Sequence, residues 1–223
     1  MSSFQDMLVA DYNWRLGEIA IIKALTVQTG LTDEKRAVSR KYAVPSLYSV
    51  WEGFITSSFA EYVRAINNKK LSCDLIHDNI FVYYIFARYP QLREPPSGIE
   101  KRKVFLENLR KDLMGVVCLP MEIDVSSNVN YKQLIRLFNR YGVSAVGLEK
   151  YEQTLNKFVG GYRVKIAHGD NSIFVDDAHI EEFSKLIISL MSDIIEIMSS
   201  HCSDEAFCKK IVRFDNGDTF APL

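Results

Sequence analysis

A long run of apolar side chains at helical spacing constrains the fold of this chain most. Between about residues 33 and 67, apolar residues recur every third or fourth position, which places them on one face of a helix. Pro45 lies inside this run, so a kink or an interruption is expected near residues 41–43. The predicted core stripe consists of Val44, Leu47, Tyr48, Trp51, Ile55, Phe59 and Tyr62.

Helical spacing also accounts for most of the remaining chain. Residues 8–23 predict an amphipathic first helix that ends near Gly30. Ser97 and Glu100 form a capping-box pattern in front of a helix over about 99–113. Further helices are expected over 77–88, from Asn130 to Gly142, over about 148–167, and from 176–177 onward, the last with a core stripe of Phe183, Leu186, Ile187, Leu190, Ile194 and Met198.

The segments between these helices carry no strand pattern. Three prolines mark residues 89–98 as a loop, and Pro120 disfavours a strand within 116–125. We therefore predict an all-α fold. A chain of 223 residues with 48% hydrophobic residues suits one large domain, or at most two small ones. We place a helical domain at 1–202 and a tail or short added element at 203–223.

Charge is unevenly distributed along the chain. The formal net charge of −1 excludes a protein that coats nucleic acid by bulk charge alone. Residues 101–165 nevertheless contain 12 Lys and Arg against 6 Asp and Glu, whereas residues 166–223 contain 4 against 11. The basic middle segment could face phosphate, or both segments could simply be solvated helix faces.

Other function classes have no support in the sequence. The four cysteines form no CxxC pair and, like the histidines, suggest no metal site, so we expect neither a metal nor another cofactor. No secretory signal is visible at the N-terminus, and the apolar stretch over 186–198 is too short and too polar to span a bilayer. We expect a cytoplasmic protein with reduced thiols and no membrane partner.

Arg163 and His168 are the candidate catalytic residues, at the end of the helix predicted over 148–167. Arginine presents a permanently charged fork for phosphate oxygens, and histidine exchanges a proton near neutral pH. Together they suit metal-free cleavage of a phosphodiester. Five residues rotate about 140° along a helix, so the two side chains do not strictly share a face. Alternatively, Arg163 is a surface cation and His168 interacts with the helix dipole.

Three stretches around this pair resemble the HEPN superfamily (higher eukaryote and prokaryote nucleotide-binding domains), and specifically its bacterial MAE-like members. They are the opening helix motif at 11–18, the aromatic and acidic motif at 48–54, and the connector at 123–130. Arg163 and His168 then occupy the superfamily's R-x4-H motif. The resemblance covers roughly residues 6–200.

This resemblance implies a helical bundle with extra helices that dimerises through the face of the motif helix. Two Arg163 and two His168 residues would then form one composite ribonuclease site. The implied substrate is RNA. The implied setting is a toxin–antitoxin or antiviral defence system, with an antitoxin or a sensor protein as a further partner.

Further residues are candidates for substrate binding. Lys165 lies within the motif, and Asn156 precedes Arg163 by two helical turns. Glu52, between Trp51 and Phe54, either lines the site or makes a structural hydrogen bond. Val164 departs from the polar residue common after the motif arginine in catalytic relatives. It favours a noncatalytic module that binds a nucleotide, RNA or a protein; a third possibility is that the motif pair serves only the dimer interface.

Overall fold

The computed structural model describes residues 3–125 and 128–209, and these residues build an all-α bundle. The predicted fold class is therefore confirmed. The helices before the motif region are α1 (Phe4–Thr26), α2 (Asp33–Asn68), α3 (Asp78–Arg88), α4 (Ile99–Leu113) and α5 (Tyr131–Arg140). The motif region contains α6 (Glu152–Asn156) and α7 (Val164–Ala167), and it is followed by α8 (Asp177–Ser203).

The predicted core stripes are confirmed in α2 and α8. Every member of both stripes is buried, and the two helices pack against each other and against α1. Burying each large apolar side chain contributes roughly 1.5–3 kcal/mol, so the packing among α1, α2 and α8 dominates the stability of the bundle. α2 continues through Pro45 as one helix, so of the two expected alternatives the interruption was wrong, and the kink stays a prediction. Packing along the whole stripe outweighs the single backbone hydrogen bond that proline removes.

A buried arginine fixes α1 against α2. Arg15 Nη1 donates to Val50 O at 2.9 Å, and Arg15 Nε donates to Asp11 at 2.9 Å. Its guanidinium lies on Gly53, where an added Cβ would be only 2.7 Å from Nη1. Ser57 donates to the same Asp11 carboxylate at 2.7 Å. The 11–18 and 48–54 motifs are therefore two halves of one contact.

Some helix ends differ from the predictions. α1 ends at Thr26 rather than near Gly30. α4 begins after Gly98, whose φ is +88°, and no side-chain cap forms there, so the capping box of Ser97 and Glu100 was wrong. Glycine adopts this backbone conformation at low cost, so Gly98 sets where the helix begins.

The C-terminal segment is attached to the loop before α3. Phe207 is buried, Phe207 O accepts from His77 N at 2.8 Å, and Lys209 N donates to Leu75 O at 2.7 Å. Most of the tail predicted for 203–223 lies outside the described residues. Its boundary therefore stays a prediction.

By length and composition alone, α8 could cross a membrane. At 27 residues it is longer than the apolar stretch that the sequence suggested. In the bundle it packs on α1 and α2 with its apolar stripe buried. The expectation that the apolar stretch is too short and too polar to span a bilayer was therefore wrong for the whole helix, of whose most apolar 18 residues 39% is buried in the bundle.

Gly53→Ala should lower the free energy of unfolding although alanine favours helices. The new Cβ would displace the buried Arg15 guanidinium from Val50 O, at a cost of about 1–3 kcal/mol. In an Arg15→Leu background, the same substitution should be neutral or stabilising. Urea unfolding of the four proteins tests this; equal effects of Gly53→Ala in both backgrounds would contradict the contact.

Stability should also fall as the pH decreases from 7.5 to 5.5. His201 Nε2 lies 3.0 Å from Gly142 O, which can only accept, so Nε2 carries a proton, and in the neutral ring Nδ1 accepts from Tyr62 Oη at 2.7 Å. Burial lowers the pKa of His201 below 6.5, so the unfolded chain binds a proton at a higher pH than the folded chain does. The free energy of unfolding therefore decreases as the pH falls.

Urea unfolding across this pH range measures the effect. The pH slope should become shallower in His201→Gln. It should stay unchanged in the matched control His168→Gln, because His168 is exposed. A wild-type slope equal to that of His201→Gln would rule out this role for His201.

Candidate functional site

The helix that carries the motif is built from several kinds of turn. A 3₁₀ turn over Glu149–Tyr151 leads into α6, then into a π-helical segment over Lys157–Arg163, and finally into α7. The sequence predicted one regular helix here, so the π segment is new. Gly160 and Gly161 lie within it, and π turns occur often at functional sites. Arg163 is the last residue of this segment.

The motif helix ends as Gly169 predicts. Gly169 has a φ of +79° and its N–H donates to Ile166 O at 3.0 Å, while Asp170 N donates to Lys165 O at 3.0 Å. This pair of bonds is a Schellman motif, which closes a helix at a glycine. His168 therefore sits on the terminal turn and is exposed to solvent.

Arg163 is held between two partners. Its Nη1 donates to Asn128 Oδ1 at 2.6 Å, and its Cζ lies 4.1 Å from the centroid of the Tyr48 ring. The side chain is half-buried. A hydrogen bond on one side and a cation–π contact on the other fix the guanidinium plane.

Tyr48 connects this arginine to α2 and to the connector. Its hydroxyl accepts from Val129 N at 2.8 Å and donates to Glu52 Oε1 at 3.0 Å. Burial raises the pKa of Tyr48 to about 12, so the phenol keeps its proton at neutral pH. Trp51 Nε1 donates to Val129 O at 2.8 Å, so both backbone groups of Val129 are hydrogen-bonded.

The predicted site residues fall into two groups. Arg163 and Glu52 are brought together through Tyr48, so of the two alternatives for Glu52 the structure shows the hydrogen bond. Lys165 and His168 are exposed on the last turns of the motif helix. Asn156 is also exposed, and its Oδ1 accepts from Tyr131 N at 3.3 Å at the start of α5.

Sequence reasoning missed two neighbours of Arg163. Tyr48 was assigned only to the core stripe, and Asn128 was quoted only as part of the connector. Both lie inside stretches that carried the family resemblance, and this was the available signal. Residues 126–127 of the same connector lie outside the described residues.

A second series of polar side-chain contacts attaches the motif helix to α8. Tyr162 Oη lies 2.5 Å from His179 Nε2, and His179 Nδ1 lies 2.5 Å from Asp176 Oδ1. Asp176 is also the N-cap of α8, as its position predicted. Lys41 Nζ donates to Asp170 O at 2.9 Å, which holds the loop that follows His168. These contacts fix both sides of the motif pair.

Within residues 3–125 and 128–209, no group of three or more His, Cys, Asp or Glu side chains is placed to hold a metal ion. Within the same residues, the His168 imidazole makes no hydrogen bond or ion pair.

Comparison with known proteins gives one match. A family model described as MAE_28990-like HEPN matches residues 4–207, which is most of the chain. No curated protein and no solved structure matches this chain.

Tyr48→Phe should reduce the free energy of unfolding by about 1–3 kcal/mol, because the buried N–H of Val129 loses its acceptor. The cation–π contact with Arg163 would remain. Tyr42→Phe is the control; this tyrosine is exposed, so its change should stay within about 0.5 kcal/mol. Urea unfolding measures both, and equal stability of the two variants would contradict the assigned contact.

Proposed function

Because the chain belongs to the MAE_28990-like HEPN family, we propose that it is a metal-independent endoribonuclease that acts as a homodimer. Family membership indicates a nuclease or a nucleotide-binding module. Cleavage of RNA at a site shared by two motif helices is the finer proposal.

The placement of Arg163 and His168 carries this proposal. The Asn128 hydrogen bond uses one of the five N–H donors of the guanidinium, and the fork is oriented by the Tyr48 ring. His168 is exposed on the final turn of the same helix. A fixed cation and an accessible imidazole five residues apart on one helix suit a phosphate whose negative charge increases during reaction.

The chemistry needs only these groups in two copies. One His168 takes the proton of a ribose 2′-hydroxyl, and the 2′-oxygen attacks the neighbouring phosphorus. The bond from phosphorus to the 5′-oxygen breaks, and the second His168 donates a proton to that oxygen. The products are a 2′,3′-cyclic phosphate and a 5′-hydroxyl. Arg163 stabilises the charge on the phosphate oxygens.

The basic middle of the chain supports RNA as the substrate. In α4 no residue is buried, and its lysines and arginines face solvent. Such a surface binds a phosphate backbone without reading its sequence. We place the protein in the cytoplasm, within a toxin–antitoxin or antiviral system, with an antitoxin or a sensor protein as its regulator. Lys165 is the closest exposed cation to His168 in sequence and would contact the same backbone.

Two observations favour a noncatalytic module as the second candidate. Val164 supplies no polar contact, and the contacts of Arg163 with Asn128 and Tyr48 also serve to hold the connector. Such a module would bind a nucleotide, RNA or a protein and would be stabilised by that ligand without turnover.

His168→Ala should reduce RNA cleavage by about 10²–10⁴-fold, the usual contribution of a general acid or base. Its unfolding midpoint should not change, because the side chain is exposed. Arg163→Lys should also lose most activity, because lysine lacks the planar fork. The assay uses labelled RNA across pH 5–9, with and without EDTA, and cleavage should survive EDTA.

Lys185→Ala on α8 is the matched control, since this exposed lysine lies outside the motif helix. It should leave cleavage unchanged. Full activity of His168→Ala would overturn the ribonuclease proposal. RNA that raises the unfolding temperature without being cleaved would instead support the noncatalytic module.

A further inference from the structure

The outward side of α1 is apolar along nearly its whole length. Trp14 is 58% exposed, Ile21 63% and Leu25 53%, although large apolar side chains normally avoid so much contact with water. Only Asn13 interrupts this face with a polar side chain after the first turn. Its exposed residues are Val9, Ala10, Asn13, Trp14, Gly17, Ala20, Ile21, Ala24 and Leu25, and we call this set the α1 outer face.

Gly17 lies at the centre of the α1 outer face. It follows the buried Leu8 by nine residues, which is two and a half helical turns, so it points directly away from the core. A Cβ added at Gly17 would meet no atom within 4 Å. Ala10 and Ala24 lie seven residues to either side, so small residues form the middle of the face over four turns.

We propose that the α1 outer face binds a second copy of this chain, with the two α1 helices antiparallel about a two-fold axis at Gly17. In this arrangement Ala10 faces Ala24 of the second copy, and the two glycines allow the backbones to approach closely. Trp14 then packs on Ile21 of the second copy along one edge, and Asn13 packs on Ala20 along the other. The contact between Trp14 and Ile21 then occurs twice, once from each copy, as an isologous contact requires.

The composition of the face argues for a second copy rather than an unrelated protein. It has no charged side chain, and its nine positions map onto one another when the helix direction is reversed about Gly17. The apolar surface also extends beyond α1. Ser39 Oγ donates to Leu25 O at 3.1 Å, which brings the exposed Val38 and Tyr42 of α2 next to the end of the face. A stable interface buries roughly 800 Å² per partner, and the exposed Val38 and Tyr42 enlarge the apolar surface available for it beyond α1 alone.

This contact is separate from the one required for ribonuclease activity. α1 packs chiefly on α2 and α8 through the side opposite Gly17. The dimer proposed for catalysis uses the motif helix. Association through α1 and RNA cleavage through Arg163 and His168 can therefore succeed or fail independently.

Gly17→Arg tests the α1 contact directly. Open space around Gly17 allows the arginine without disturbing the fold, whereas two arginines would repel each other at the axis. In analytical ultracentrifugation of the full chain, the wild type should sediment above its monomer mass of 25.6 kDa. Gly17→Arg should weaken this association at least tenfold, with an unchanged circular dichroism spectrum. Ala24→Arg should act in the same way.

Val104→Arg is the matched control, because Val104 is 57% exposed on α4 and should not affect association. Gly17→Cys should form a disulfide-linked dimer on mild oxidation, a product that His168→Ala would not prevent. Emission of the exposed Trp14 should shift to shorter wavelength on association, while the buried Trp51 contributes a constant background.

Two results would overturn the proposal. One is a wild-type chain that stays monomeric throughout a 100-fold dilution series that reaches about 100 μM, which would place the Kd for association above roughly that concentration. A blue-shifted Trp14 in such a monomer would mean that another part of the chain covers the face. The other is a dimer that resists both arginine substitutions and dissociates instead in Lys165→Glu, which would assign association to the motif helix alone.

Discussion

The peptide groups of Val129 hold the last part of the connector between α4 and α5 to the bundle. Both groups are bonded to side chains of α2, the N–H to the Tyr48 hydroxyl and the C=O to the Trp51 indole. A buried peptide group without a partner costs about 1–3 kcal/mol, so the two side chains fix where the chain crosses α2. Since Arg163 lies on the Tyr48 ring, the same contact also sets the position of the motif helix.

Arg163 therefore belongs to the fold as well as to the proposed chemistry. Its guanidinium is oriented by Asn128 and Tyr48 before any ligand binds, so less side-chain freedom is lost when a phosphate arrives. Glu52 accepts a hydrogen bond from the far end of the same tyrosine and fixes the ring. Loss of activity on substitution of Arg163 must therefore be separated from loss of stability, whereas the exposed His168 reports on function alone.

The sequence predicted the parts of the fold that depend on one-sided burial. The stripes of α2 and α8 are regular because each helix buries one continuous face. The predictions failed where the backbone conformation of a single residue decides the structure, as at Gly98, which precedes α4 with a positive φ. The π segment that ends at Arg163 left no periodic signal, since it spans only seven residues. The neighbours Tyr48 and Asn128 come from segments far apart in sequence, and spacing alone does not pair them.

α1 shows a further limit of periodicity. A stripe identifies the core side of a helix only when the opposite side is polar. Leu8 and Ile19 are buried against the bundle, yet Trp14 and Ile21, on the other side, are equally apolar and lie in solvent. The sequence predicted the inner stripe but gave no reason to separate it from the outer one. A helix with two apolar faces has one more surface than its own bundle covers, and that excess is the physical basis for the proposed association through α1.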